Sequence, residues 1–309
     1  MSHTAFIFPG QGSQYAGMGK DLAANFRVAA DVFAEADEAL GFSLSRLCFE
    51  GPEEDLKLTA TTQPAILTAS VAALRVVQAE AGLVPSYLAG HSLGEYSALV
   101  AAGSLSLVDA VRTVRSRGTF MQEAVPVGVG AMAAILSVAP DVLTEICAEA
   151  AQGEVVSPAN FNSPGQIVIA GHATAVNRAI EIAKGKGFRK AMLLPVSAPF
   201  HCSLMKPAAD RLAEVLTQVA VGALAQPVVT NVEALANGDS SRVRELLVTQ
   251  VCAPVQWAQS VEEMVRLGVV TFIEIGPGKV LSGLVKRISK ESATFNVEDM
   301  AGVKTLPAA

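Results

Sequence analysis

Short apolar runs closed by turn residues alternate with longer helical stretches along this chain. That alternation admits few folds other than α/β layers built on a largely parallel sheet. Ala5-Phe6-Ile7-Phe8 reads as a first strand, stopped by Pro9-Gly10. The pattern then predicts a two-piece helix over 19–40, a buried alanine-rich helix over 63–82 and a strand over 87–89. Helices follow over 92–102 and 107–122, the second carrying Arg112, Arg115 and Arg117.

The middle of the chain breaks this rhythm. A strand over 129–137, a helix over 140–151 and strands over 155–160 and 166–170 are expected, then a helix over 173–186 and a strand over 188–194. The turn between the middle strands is Asn162-Ser163-Pro164-Gly165. This β-α-β-β-α-β order is the ferredoxin-like split unit, which fits in about 70 residues. Residues 127–197 are therefore expected to form an inserted subdomain, and 1–126 with 198–309 a discontinuous large domain. After 197 come helices over 203–219, 243–251, 257–267 and 279–290, with strands over 227–230 and 270–275.

The chain is 51% apolar but only 5% aromatic, so its core must be built from Ala, Val, Leu and Ile. A mean hydropathy of +0.40 raises the question of a membrane span. The longest uncharged run, 124–140, is interrupted by Pro126, Gly128, Gly130 and Ser137. It also falls short of the roughly 20 apolar residues a spanning helix needs. Met1 to Phe8 has neither a basic stretch nor a long apolar one, so no secretory leader is expected. Cys48, Cys147, Cys202 and Cys252 form no CxxC pair, which fits neither a zinc site nor a disulfide framework. A chain working in the reducing cytoplasm is expected. A net charge of -6 argues against nucleic acid or an anionic membrane as partner.

Chemistry concentrates at Gly90-His91-Ser92-Leu93-Gly94. This G-x-S-x-G lies between a predicted strand and a predicted helix, the context of a nucleophile elbow. Its small residues let the chain turn sharply and project Ser92. The N–H groups that open the helix then face an oxyanion formed there. A serine nucleophile needs a base, and the chain has four histidines. His3 is terminal, His91 adjoins the nucleophile on a sharp turn, and His172 falls in the insertion. His201, where the main pattern resumes, is the expected base. Asp109 and Asp141, the aspartates between Ser92 and His201, both read as helix-start residues. A third acidic member is thus not evident, and a backbone or amide oxygen is expected to orient the imidazole.

The Pro9-Gly10-Gln11-Gly12-Ser13-Gln14 loop has Tyr15 where a dinucleotide fingerprint needs glycine, and no GxxxxGK[ST] occurs. The loop is either a plain glycine turn or a second source of an oxyanion-hole N–H.

Together these pieces resemble the malonyl-CoA:acyl carrier protein transacylases, the acyltransferases of fatty-acid synthesis. The matching stretches are Phe8 to Gln14, Gly90 to Tyr96, Arg117-Gly118 with Met121, Asn160 to Gly165, Phe200-His201, Asn231 and Glu274 to Gly278. They span nearly the whole chain in the family's order. The resemblance implies an α/β-hydrolase-like large domain with a ferredoxin-like insertion. It implies Ser92 as the acylated nucleophile, His201 as its base, and the Leu93 and Gln11 N–H groups as the oxyanion hole. It implies Arg117 as the ligand of the malonyl carboxylate and the Gln250 region as the source of the carbonyl that orients His201. Phe200 hints at malonyl rather than methylmalonyl choice.

The partners implied are malonyl-CoA and acyl carrier protein, whose phosphopantetheine is the acceptor; no metal or redox cofactor is expected, and a monomer is. Carrier proteins of this pathway are acidic, so docking needs a local basic patch. Lys184, Lys186, Arg189 and Lys190 form one candidate, and Lys286, Arg287 and Lys290 another. A serine hydrolase, a non-catalytic module that binds acyl-CoA or carrier protein, and a transferase of another extender unit or one serving a polyketide pathway remain open.

Overall fold

His3–Phe8 forms strand β1, whose last four residues are buried, as a strand covered on both faces requires. The other strands are β2 (Tyr87–Gly90), β3 (Gly130–Leu136), β4 (Val156–Ser163), β5 (Gln166–His172), β6 (Ala191–Leu193), β7 (Val228–Val229), β8 (Ala236–Asn237), β9 (Val269–Ile275) and β10 (Ala293–Val297). The computed structural model describes residues 3–196 and 198–307. The predicted junction at Ser197 and the outermost residues of the predicted large domain lie outside the described residues.

The larger sheet runs β10-β9-β1-β2-β7-β8. Its pairs are parallel except the short β7–β8 edge. This is the α/β layer structure expected from the pattern, with β1 central so that the loops after β1 and β2 meet. The helix Thr59–Ala81 packs across it and buries most of its length. It crosses the helix Leu107–Glu123 at Gly118, where a Cβ would lie 2.6 Å from the Thr59 carbonyl oxygen. Small side chains thus set how closely these helices approach, which is where an apolar, aromatic-poor composition goes.

The second sheet runs β4-β5-β3-β6, all antiparallel. With the helices Pro140–Ala151 and Ala173–Gly185 it has the ferredoxin-like order. Alternate side chains serve its two faces. Ala133, Ile135, Ile167 and Ile169 join a core with those two helices. Met132, Ala134, Val168 and Ala170 join the core of the large unit. The small sheet therefore shares an apolar face with the large unit, and a cleft opens where that contact ends.

Several elements differ from expectation. The long helix starts four residues early, at Thr59, because Thr61 and Thr62 are buried and packing overrides β-branched propensity. Thr62 Oγ1 also donates to the Leu58 carbonyl at 3.1 Å. The short helices Leu44–Glu50 and Glu53–Lys57 and the strands β8 and β10 are additions to the expected set.

Candidate active site

The turn after β2 is held by sterics that leave no room for side chains. A Cβ on Gly90 would lie 1.9 Å from the Gly94 carbonyl carbon, and one on Gly94 would lie 2.1 Å from the Phe8 oxygen. Ser92, between them, adopts φ 50° in the left-handed region, a conformation that costs a non-glycine residue about 1–2 kcal/mol. Distant residues hold it there. The Ser92 N–H donates to Asn231 Oδ1 at 2.6 Å, and Asn231 Nδ2 donates to the Gly90 carbonyl at 2.6 Å. Gln250 Nε2 donates to the Ser92 carbonyl at 3.0 Å.

His201 Nε2 sits 2.7 Å from Ser92 Oγ, across 109 residues of sequence. Its Nδ1 lies 2.9 Å from the Gln250 carbonyl oxygen. A carbonyl can only accept, so Nδ1 carries the proton and Nε2 is left bare to accept from Ser92. Burial, with the nearby Arg117 charge, pushes the His201 pKa down to about 3. The imidazole is therefore neutral at physiological pH, with Nε2 unprotonated.

Arg117 is only 1% exposed. Its Nη1 donates to Gln63 Oε1 at 2.8 Å, and its Nη2 to Gln250 Oε1 at 2.9 Å and to Ser92 Oγ at 3.2 Å. Nε has no acceptor. Its hydrogen-bond partners are neutral and, among the described residues, include no carboxylate. Its guanidinium carbon lies 5.7 Å from the centroid of the Tyr96 ring. A buried cation without an ion pair is costly and is a ready receptor for a planar anion.

Glu95, 2% exposed, lies behind this group. Its Oε2 accepts from the Asn231 N–H at 3.0 Å and from Gln250 Nε2 at 2.8 Å. Burial raises its pKa to about 7.

A cavity of about 120 Å³ adjoins Ser92, enough for a short acyl group. Gln11, Gln63, Leu93, Arg117, Met121, Phe200 and His201 help to line it. Among the described residues, the Leu93 and Gln11 N–H groups donate to no protein acceptor. The loop that carries Gln11 is pressed against the elbow, since a Cβ on Gly10 would lie 2.4 Å from the His91 oxygen. A second hollow, lined by Gln11, Asn162, Gln166, Val280 and Leu284 among others, shares His91 and Asn160 with the first.

The structure thus gathers Ser92, His201, Arg117, Gln11 and Leu93 around one cavity. Gln250 is fully buried behind it and does not line it. The remaining histidines have other partners, although His91 also lines the cavity. His91 Nε2 donates to Asn162 Oδ1 at 2.8 Å, His172 Nδ1 accepts from the Val155 N–H, and His3 pairs with Ser86. Asp109 and Asp141 lie in the first turns of helices. Arg112 donates to the Ala39 carbonyl and Arg115 lies over Phe42, so of these three arginines only Arg117 enters the site. Sequence reasoning gave no role to Gln63, Glu95 or Asn231.

Of the two basic clusters, the first is partly neutralised: Lys184 pairs with Glu181 and Lys186 with Glu149. In the second, Arg287 donates to Gln166 Oε1 at 2.7 Å, at the rim of the second hollow. Among the described residues, Lys286 and Lys290 have no acidic partner.

Residues 5–307 match the model of the acyl transferase domain family. A malonyl CoA-acyl carrier protein transacylase of Escherichia coli (strain K12) is 54% identical over 288 residues, covering 93% of each chain. An acyl carrier protein S-malonyltransferase from Vibrio cholerae superposes with a TM-score of 0.97 at 50% identity, covering 99% of this chain and 100% of that one. A type II PKS acyl-carrier protein has been solved in complex with its malonyl-transacylase. That match has a TM-score of 0.96 at 50% identity and covers 98% of each chain.

Proposed function

The chain belongs to the acyl transferase domain family, and from that premise we propose that it moves malonyl from malonyl-CoA to the phosphopantetheine thiol of acyl carrier protein through malonyl-Ser92, in the cytoplasm and in supply of fatty-acid elongation. The observation that carries this reading is Arg117: a buried guanidinium without a carboxylate partner, with one N–H 3.2 Å from Ser92 Oγ. An acyl group attached at Ser92 and ending in a carboxylate would put that carboxylate where the charge needs it.

His201 Nε2 takes the Ser92 proton as Oγ attacks the thioester carbonyl. The oxyanion is placed to accept from the Leu93 and Gln11 N–H groups, each such donor being worth about 3 kcal/mol. The C–S bond breaks, and the imidazolium returns its proton to the departing CoA sulfur. The carrier's thiol then gives its proton to His201 and attacks the ester carbonyl. Ser92 leaves and is reprotonated by His201. The Gln250 carbonyl holds the tautomer that both halves require, replacing the acid of a conventional triad.

Intact mass after mixing with malonyl-CoA, and again after adding carrier protein, tests nucleophile, acyl group and acceptor together. The expected result is a malonyl adduct that the carrier removes far faster than water does. An adduct that only water removes would make the protein a hydrolase.

The acid limb of the acylation rate offers a second test. A base held at about pKa 3 stays neutral throughout the range in which an ordinary histidine, near 6.5, would be protonated. Ser92 acylation should therefore hold steady from pH 7.5 down to 5. Protonation of Glu95 within that range leaves its Oε2 an acceptor. A midpoint near 6.5 would contradict the buried, neutral imidazole.

For docking, the Lys286–Lys290 cluster is the better match to an acidic carrier, because it keeps free cations beside the rim. Lys286→Glu with Lys290→Glu should raise the KM for carrier protein about tenfold at low salt, with Ser92 acylation unchanged. Lys184→Glu should change it little. The reverse ranking would move the docking face to the first cluster.

A further inference from the structure

The Glu95 side chain bonds Asn231 and Gln250, neither of which lines the cavity, yet through Gln250 it bears on Arg117, which does. Gln250 spends both hydrogens of its side-chain amide on oxygens: Glu95 Oε2 at 2.8 Å and the Ser92 carbonyl at 3.0 Å. With Nε2 so committed, Oε1 must face the other way, where it accepts from Arg117 Nη2 at 2.9 Å. A flipped amide would set its oxygen against a carboxylate and a carbonyl, neither of which can donate when Glu95 is ionised. The carboxylate is itself fixed by the Asn231 N–H at 3.0 Å. It stands one amide away from the guanidinium. It therefore offsets the buried positive charge without occupying the N–H groups that an incoming carboxylate needs.

We propose that Glu95 is a positioning residue for acyl-group selection: through the Gln250 amide it aims the Arg117 guanidinium at the acyl carboxylate while keeping its own carboxylate out of that cation's reach. This rests on the malonyl-Ser92 reading above and adds a residue that never contacts the substrate. Selection then depends on a relay, Glu95 to Gln250 to Arg117, whose loss should be felt by charged acyl groups and not by neutral ones. Glu95→Gln keeps an oxygen acceptor for both donors and should keep the relay. Glu95→Asp withdraws the acceptor by one methylene, and Glu95→Ala removes it.

The test is single-turnover acylation of Ser92 by malonyl-CoA and by acetyl-CoA, read by intact mass, with folding checked by thermal melting. The malonyl-to-acetyl rate ratio should fall about thirtyfold in Glu95→Ala and about fivefold in Glu95→Asp, and stay within about twofold in Glu95→Gln. In a Gln250→Leu background, Glu95→Ala should lower the ratio less than about twofold further, because residues acting through one link are not additive. If Glu95→Ala does not fold, Glu95→Asp decides. A folded Glu95→Asp or Glu95→Ala with the parent's ratio overturns the proposal, as does additivity with Gln250→Leu. A parent that forms no malonyl-Ser92 overturns the underlying reading as well, so the two failures are distinguishable.

Discussion

Ser92→Ala is expected to carry no malonyl after mixing with malonyl-CoA, and its turnover should fall by about 10⁴-fold or more. The large effect follows from the architecture. Among the described residues, Ser92 alone places a hydroxyl both against the bare His201 Nε2 and against Arg117. The fold should tolerate the change, because the elbow is held through main-chain atoms. The Ser92 N–H bonds Asn231 and its carbonyl accepts from Gln250, and both bonds survive truncation. A melting temperature within about 2–4 °C of the parent, the scale of a 1 kcal/mol change in a large chain, is expected. Intact mass settles the matter: serine-linked label on Ser92→Ala would remove Ser92 from the mechanism.

Arg117→Ala should reduce malonyl acylation by about 10²- to 10³-fold, the loss expected when a desolvated charge pair is broken. Acetyl acylation should hold or rise. The arginine's charge is one of the causes that depress His201, so removing it makes the base stronger for a substrate with no carboxylate to anchor. The malonyl carboxylate would do the same on binding, by neutralising Arg117. On the proposed mechanism, right substrate and ready base would arrive together. Acylation rates with both thioesters over a pH series give the answer; equal losses for the two would deny Arg117 its carboxylate.

The parts of this architecture written in local sequence were readable, and the parts made by folding were not. Gly90 to Gly94 announces its turn because the contacts that forbid a Cβ are set by five adjacent residues and the strand beside them. The ferredoxin-like order over β3 to β6 was legible because its strands and helices follow one another in the β-α-β-β-α-β order, with the turn at Asn162 to Gly165 between the middle strands. The side-chain roles of Gln63, Glu95, Asn231 and Gln250 have no such signature. Each is a buried polar residue whose meaning comes from a partner tens to more than a hundred positions away. The carbonyl of Gln250 was expected through resemblance alone, since no side-chain type marks a main-chain oxygen. The helices Leu44–Glu50 and Glu53–Lys57 went unread because they are short and divided by Gly51-Pro52. Strand β10 went unread because it is a partly exposed edge with weak alternation.

The clamp on Ser92 also sets a timetable. The elbow is made early in synthesis, but its restraints arrive 139 residues later with Asn231 and 158 residues later with Gln250. The base arrives between them and the serine, at a separation of 109. Contacts of such long range form late. A growing chain can therefore display the whole G-x-S-x-G while its serine stays chemically inert, unstrained and without a proton acceptor. On the proposed mechanism, reactivity toward thioesters begins only once Gln250, about four-fifths of the way along the chain, has been made.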